Sequence, residues 1–212
     1  SAVAQRNSQD GISLVQTAEG ALSEATNILQ RMRELAVQAA NGTQSTANRM
    51  SLDLEVNQLL QQLDDIAFDT EFNGLSVLSA AQTITLQAGF RAGQTIEIAV
   101  AGASTVNLGV NGVSLSTMEG AVSCLSTLDA AIQSVSQLRA TFGAVQNRLE
   151  FTMNSLAITE ENASASDSAL RDADIATETI QFTRTQILVS AGTAVLAQAN
   201  IVPQTALQLL GG

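Results

Sequence analysis

Proline occurs only once among the 212 residues of this sequence, at Pro203. Because proline is the residue that interrupts an α-helix most strongly, long helices are permitted along almost the whole chain. Glycine supplies the interruptions instead, and half of the 14 glycines fall between residues 74 and 120. The sequence therefore predicts a turn-rich centre between two helical arms. The central glycines are Gly74, Gly89, Gly93, Gly102, Gly109, Gly112 and Gly120.

The first helical arm, expected over about residues 1–41, carries small or apolar residues at steps that alternate between four and three. This spacing is typical of a coiled-coil seam. Asn41-Gly42 is expected to end the helix, since glycine readily takes the left-handed conformation that closes a helix. The seam positions are Ala18, Leu22, Ala25, Leu29, Met32, Ala36 and Ala39.

Two further helices are predicted from a similar spacing of apolar residues. The second, over about 46–68, is expected to stop before Asn73-Gly74 and to pack antiparallel to the first across their short connection. The third is expected over about 118–162. The predicted seam of the second helix is Leu52, Val56, Leu59, Leu63 and Ile66, and that of the third is Leu125, Leu128, Ile132, Val135, Phe142, Val145, Leu149 and Leu156.

Between the helical arms, residues 83–87 and 95–100 alternate polar and apolar side chains with the period of a half-buried strand. They predict a β-hairpin over about 83–100, and a short loop over 101–117 follows it. An isolated hairpin is marginal in water, so this one is expected to lie on the helices. The predicted fold is mainly α: an elongated, antiparallel, coiled-coil-like bundle with one small hairpin and a C-terminal helix.

The last segment, 166–212, begins with Ser166-Asp167, the expected helix cap, and has no charged residue after Arg184. Its scattered glutamine and asparagine side chains are costly in hydrocarbon, so a membrane span is disfavoured. A helix that packs an apolar stripe against another helix explains the same residues. The stripe comprises Ile187, Ala191, Ala194, Ile201, Leu207 and Leu210.

Composition excludes several functional classes. The formal charge is −11, the nine basic residues are all arginine and they form no run, which argues against nucleic acid as a partner. With no histidine and a single cysteine, the chain lacks the usual residues of a metal site or a catalytic centre. Cys124 is interpreted as a small core residue. We expect no catalysis, no cofactor and no bound metal, and self-association through apolar surface remains.

Several blocks of the sequence resemble bacterial flagellin, and they occur in the order of that family. One of them contains Gln-Arg-Met-Arg-Glu-Leu at positions 30–35. Agreement between several long blocks is more specific than any short motif. The blocks similar to the N-terminal half of the flagellin rod are Ser8–Ser13, Thr17–Leu22, Leu29–Gln38 and the turn Phe72–Gly74 with Val77–Leu78, and those similar to its C-terminal half are Phe142–Arg148 and Ala191–Asn200.

The resemblance implies a structural subunit of the flagellar filament that supports motility. It implies a rod domain at 1–165 and a C-terminal helix of the inner terminal domain at 166–212. The expected partners are other flagellin subunits, an export chaperone at the C-terminal helix and the filament cap. The expected location is extracellular, after export by the flagellar secretion apparatus without a cleaved signal peptide.

Two departures from the family are also expected. The family has a further N-terminal stretch that pairs with the C-terminal helix, and this chain begins after it, which leaves that helix without its family partner. Large outer domains are replaced by the loop 101–117. A shortened flagellin that acts as a soluble receptor agonist, and a hook–filament junction protein, are the alternative interpretations. The block Arg31–Gln38 favours flagellin proper over the junction protein.

Read from chemistry alone, the charged residues of the 30–35 block form the solvated face of a helix. The resemblance implies more, since in flagellins this segment lies where subunits meet and where the vertebrate flagellin-sensing Toll-like receptor binds. Exposed arginine is a frequent binding anchor. The implied receptor or subunit-interface residues are Gln30, Arg31, Arg33, Glu34, Leu35 and Glu55.

Overall fold

The computed structural model describes residues 2–211, apart from the side chains of 172–174 and 202–210. The chain divides into two compact units, Ser1–Thr159 and Glu160–Gly212. Its mainly helical character and its single larger hairpin confirm the predicted fold class. The helices are α1 (Ala2–Ala40), α2 (Thr46–Asp69) and α3 (Met118–Leu210), and the strands are β1 (Glu71–Phe72), β2 (Leu75–Ser76), β3 (Ala81–Gln87) and β4 (Thr95–Ala101).

The predicted seam of α1 is confirmed. All seven of its residues, from Ala18 to Ala39, are 0% exposed. The same alternation continues toward the start of the helix through Ala4, Ser8, Gly11 and Val15, which are also buried. The Ser8 hydroxyl satisfies its hydrogen-bonding capacity locally by donating to the Ala4 carbonyl at 2.9 Å. Small residues at these positions permit close approach of the neighbouring elements.

Helices α1 and α2 run antiparallel, as expected, because Arg31 of α1 contacts Glu55 of α2 while Arg49 contacts Ala39. The α2 seam differs in part from its prediction. Val56 and Leu63 are fully buried, but Leu52, Leu59 and Ile66 are only half-buried. The remaining buried positions of this helix are Leu60 and Ala67, so the stripe is rotated by one residue over its second half.

Helix α1 does not end at a left-handed glycine, as was predicted for Asn41-Gly42. Gly42 is not among the glycines with left-handed φ angles. The Arg49 guanidinium instead donates to the carbonyl oxygens of Ala39 at 2.8 Å and Asn41 at 3.0 Å, which have no partner within the helix. Helix α2 then begins after Ser45, whose side chain accepts from the Asn48 backbone N–H at 3.2 Å.

Helix α2 ends close to the predicted residue 68, but Asn73-Gly74 is not the signal that ends it. The helix stops at Asp69, and Thr70 caps it by donating its hydroxyl to the Ile66 carbonyl. Asn73 and Gly74, with φ angles of 53° and 76°, form the two-residue turn between β1 and β2. Two left-handed residues match the twist of a tight hairpin, which is why Asn-Gly is favoured there.

Strands β3 and β4 form the predicted hairpin, with Ala81 opposite Ala101 and Gln87 opposite Thr95. Ile96, Ile98 and Val100 of β4 are buried, and the residues between them are exposed, as the period-2 pattern requires. The hairpin lies against the helices at Gly11, where a Cβ atom would collide with the Leu86 side chain and approach Leu149 closely. A larger residue at this crossing would require the Leu86 side chain to shift.

Within the first unit, α3 packs antiparallel to α1, since Leu149 lies at Gly11 and Asp129 pairs with Arg33. Its predicted seam is largely confirmed, although Leu125 and Ile132 are half-buried. Phe142 is 0% exposed and is the largest fully buried side chain of the core. The buried positions of α3 step by three and four through Ala121, Cys124, Leu128, Ala131, Val135, Leu138, Phe142, Val145 and Leu149.

The connector 102–117 is fixed to α2 by two carboxylates. Asp64 accepts from the backbone N–H and the hydroxyl of Thr105, at 2.8 and 2.9 Å. Asp53 accepts from the Leu115 backbone N–H and from the Ser114 hydroxyl. The two aspartates lie on the same helix, so the loop predicted at 101–117 is an ordered element of the first unit.

The predicted break in the third helix near residue 162 is not found. Helix α3 continues to Leu210, and Ser166 does not cap a new helix: its hydroxyl donates to the Asn162 carbonyl at 2.8 Å. Hydroxyl side chains that bond to the carbonyl four residues earlier are compatible with a helix interior. In the second unit every described side chain from 160 to 201 is exposed.

Candidate subunit-interface surfaces

Arg31 is held between two carboxylates on the outer face of α1 and α2. Its Nε and Nη2 atoms donate to Glu55 Oε1 at 3.0 and 2.8 Å, and Nη1 donates to Glu34 Oε2 at 3.2 Å. The hydrogen bond to Glu55, followed by that to Glu34, raises the pKa of Arg31 above its usual value. The guanidinium side chain stays 51% exposed, so it is oriented without being covered.

Arg33 points to a different neighbour from Arg31. Its Nε atom donates to Asp129 Oδ1 of α3 at 2.6 Å, and this hydrogen bond raises the pKa of Arg33. Asp129 was not predicted as part of the surface. No local signal identifies it, because the pair depends on the antiparallel register of helices that are far apart in the sequence. The two arginines therefore tie α1 to α2 and to α3.

The remaining residues predicted for this surface divide by exposure. Gln30 and Glu34 are exposed, and Glu55 is partly exposed beside Arg31. Leu35 is 2% exposed and belongs to the hydrophobic core. Its position beside the seam residue Ala36 turns it inward, so the inclusion of Leu35 among outward-facing residues is corrected. We define the α1–α2 face as Gln30, Arg31, Arg33, Glu34 and Glu55.

The predicted apolar stripe of the C-terminal helix lies on an uncovered surface. Ile187 is 62% and Ile201 51% exposed, and Ala191 and Ala194 are also exposed. Leu207 and Leu210 lie outside the described side chains. The prediction of a single stripe omitted other large apolar side chains, which are 57–67% exposed. These residues occur at consecutive positions in the sequence, and that pattern could have identified them. These are Leu188, Val189, Val195 and Leu196.

The groups that could be mistaken for a catalytic or metal centre have structural partners. Asp64 holds the Thr105 backbone and hydroxyl. Cys124 is 2% exposed, and burial, with the nearby Asp53 charge, raises its pKa to about 11, which disfavours the nucleophilic thiolate. Among the described residues, no group of three or more potential ligands could hold a metal ion. No helix of the described chain has a stretch suited to crossing a bilayer.

Comparison with protein families places most of the chain in two conserved segments. Residues 2–83 match the family described as the bacterial flagellin N-terminal helical region. Residues 125–210 match the bacterial flagellin C-terminal helical region. The first segment contains every residue of the α1–α2 face. The second contains Asp129 and the long helix α3 after its first turns.

Individual proteins with high similarity support the same grouping. The chain is 43% identical over 210 residues to a flagellin of Halalkalibacterium halodurans, a match that covers 98% of this chain and 77% of the relative. It is 38% identical over 243 residues to flagellin of Bacillus subtilis, covering 98% and 80%. The crystal structure of Bacillus cereus flagellin matches with a TM-score of 0.64 at 39% identity, covering 71% of this chain and 88% of that one.

Proposed function

Because this chain belongs to the bacterial flagellin family, we propose that its α1–α2 face and its C-terminal helix are the surfaces through which it joins neighbouring subunits. Members of this family are structural components of the flagellar filament and not enzymes. They assemble with other flagellin molecules outside the cell.

The observation that carries the proposal is the exposed apolar surface of residues 160–201. Large apolar side chains such as Ile180, Phe182 and Ile187 are each more than 60% exposed. Covering apolar surface is worth about 25 cal/mol per Å², so this helix gains free energy when it packs against other helices. Packing between C-terminal helices of neighbouring copies supplies that cover, and contacts that do not close on themselves extend into a filament.

We assign residues 1–165 to the rod domain and 166–212 to the inner terminal domain. The change from a buried seam to a fully exposed helix near residue 160 supports this division. Before assembly, an export chaperone is the partner that covers the C-terminal helix, and the filament cap receives the subunit at the growing end. Export by the flagellar secretion apparatus needs no cleaved signal peptide.

Sedimentation of the purified chain tests the structural role. We expect particles that grow with protein concentration, since exposed apolar surface favours association. An Ile180→Asp, Ile187→Asp double variant should shift assembly to at least tenfold higher concentration, which is about 1.4 kcal/mol. A chain that stays monomeric at all accessible concentrations contradicts the proposal.

The exposed Arg31 also supports a role as a ligand of the vertebrate flagellin-sensing Toll-like receptor. The guanidinium is oriented by Glu34 and Glu55 and remains accessible, as a binding anchor requires. Arg31→Ala should weaken receptor signalling at least tenfold while the fold survives. Arg139→Ala, at another exposed arginine of the first unit, is the matched control. Equal signalling by the folded Arg31→Ala variant and the parent chain contradicts the assignment, whereas signalling without assembly favours the soluble-agonist alternative.

A further inference from the structure

A second surface lies where the tip of the β3–β4 hairpin meets α3. A groove of about 410 Å³ opens there, and it is lined by apolar side chains that include Phe90, Ile96, Phe151 and Leu156. Phe90 is 55% and Phe151 75% exposed. Exposed aromatic side chains on both walls of one groove are unusual in a protein with only six phenylalanines, and they mark a surface that gains free energy when covered.

The hairpin tip that forms one wall of the groove is rigidly built. The Gln87 side chain donates to the Gly89 and Arg91 carbonyls at 3.0 and 2.7 Å, and the Gln94 side chain accepts from the Arg91 backbone N–H at 3.1 Å. A Cβ atom at Gly89 would overlap Gln94. A loop fixed in this way loses little conformational entropy when a partner binds.

Two arginines lie next to residues that line the groove. The Arg91 guanidinium carbon lies 5.3 Å from the centre of the Phe90 ring. Arg148, three residues before Phe151 on α3, is exposed. Neither arginine forms an ion pair within the described part of the chain. We call Phe90, Arg91, Arg148 and Phe151 the basic groove.

The end of α2 carries a complementary surface. Phe68 is 55% exposed there, and Asp65 and Asp69, three residues before it and one after it, are exposed too. Glu71 of β1 adds a third exposed carboxylate. None of these three carboxylates is in an ion pair among the described residues. We call Asp65, Phe68, Asp69 and Glu71 the acidic knob.

We propose that the acidic knob of one copy docks in the basic groove of a second copy, with Phe68 inserted between Phe90 and Phe151. The opposite charges of the two surfaces select this pairing, since a groove–groove contact would bring arginines together and a knob–knob contact would bring carboxylates together. The proposal rests on the filament role proposed above and names one contact that builds it.

The two surfaces lie at different positions along the helices. The groove lies near the start of α1, because Asn7 donates to the Gln87 carbonyl at the hairpin tip and Gly11 contacts Leu149. The register of α2 on α1 puts Phe68 roughly eight to twelve residues further along α1, which is on the order of 15 Å. A head-to-tail contact between two unlike surfaces propagates from copy to copy when the rotation between the copies does not close on itself.

Disulfide cross-linking between two labelled populations tests the contact directly. One population carries Ala92→Cys beside the groove, and the other carries Gln62→Cys on the knob face of α2; both positions are exposed. The native Cys124 is buried and does not compete. We expect 92–62 cross-links between populations at least tenfold above the 92–92 and 62–62 products. Cross-links that form equally in all three combinations overturn the proposal.

Charge reversal provides the second measurement. Arg91→Glu and Asp69→Arg should each raise the concentration needed for assembly at least tenfold, and the double variant should recover most of the loss. Arg139→Glu makes the same change of charge away from the groove and should leave assembly unaltered. Normal assembly of both single variants overturns the knob-and-groove contact but leaves the filament role intact. Failure of the unmodified chain to assemble overturns both.

Discussion

Helix α1 and the part of α3 after residue 160 are both rich in alanine and branched apolar residues, yet they use them differently. In α1 the seam from Ala18 to Ala39 is 0% exposed. In residues 160–201 apolar side chains such as Ile187 and Val195 are 62% and 67% exposed. The comparison shows that a helical seam stabilises a subunit only where its own chain supplies the opposing surface, and elsewhere it is available to other molecules.

The largest expected difference between these regions is in hydrogen exchange. Seam amides of α1 open only with global unfolding, so at a typical stability of about 5 kcal/mol they should exchange on the order of a thousandfold more slowly than amides of residues 187–201. The measurement is made on the dilute chain, where neighbouring copies do not cover the helix. Strong protection of residues 187–201 without a partner would refute the contrast.

Truncation of buried and exposed apolar residues tests the same comparison energetically. Leu149→Ala or Leu63→Ala removes a side chain that is 0% exposed and should lower the free energy of unfolding by roughly 2–5 kcal/mol. Ile187→Ala is the matched change in the exposed helix and should cost less than about half a kcal/mol. Denaturant melts followed by circular dichroism compare the three variants. If the free energy of unfolding changed by less than about half a kcal/mol in both leucine variants, the seam assignment would be wrong.

A pH titration tests the burial of one side chain, the Cys124 thiol, in the first unit. Burial raises the pKa of Cys124 to about 11, so the folded state keeps a proton that the unfolded thiol loses near its usual pKa of about 8.5–9. Stability is therefore fully present below about pH 8.5 and falls by up to about 2–3 kcal/mol as the pH rises to about 11.

The Cys124 titration does not overlap that of lysine or tyrosine, because the sequence contains neither residue. The Cys124→Ala variant should lack this component of the pH dependence. Urea melts of the parent chain and the variant at pH 8, 9.5 and 11 compare them. A parent chain whose stability falls no more steeply than that of the variant would show that the thiol is not desolvated.

Much of the fold could be predicted from local pattern. The steps of three and four in α1 identified its buried face, and the alternation of residues 95–100 identified the inward side of β4. These periods follow from the geometry of the helix and the strand, which is the same in any protein. The resemblance of the 30–35 block likewise anticipated the family, because that block is specific in sequence.

Several errors occurred where pairing or packing with another element determined the outcome. Asn73-Gly74 was read as a helix stop, but pairing of β1 with β2 makes it a hairpin turn. Leu35 was assigned to an outward surface, but the packing of the core turns it inward. Arg49, which caps α1 across the loop, could not be recognised until the position of α2 was known.

The sequence by itself determined helices α1 and α2, the start of α3, the β3–β4 hairpin and the family, since backbone geometry and short-range periodicity act within a few residues. Only the tertiary structure decided the partners of the charged side chains. Arg33 pairs with Asp129, 96 residues away, and Asp53 and Asp64 hold the connector onto α2. Such pairs depend on the register of the antiparallel elements. That register is selected by the packing of the whole core rather than by any single segment.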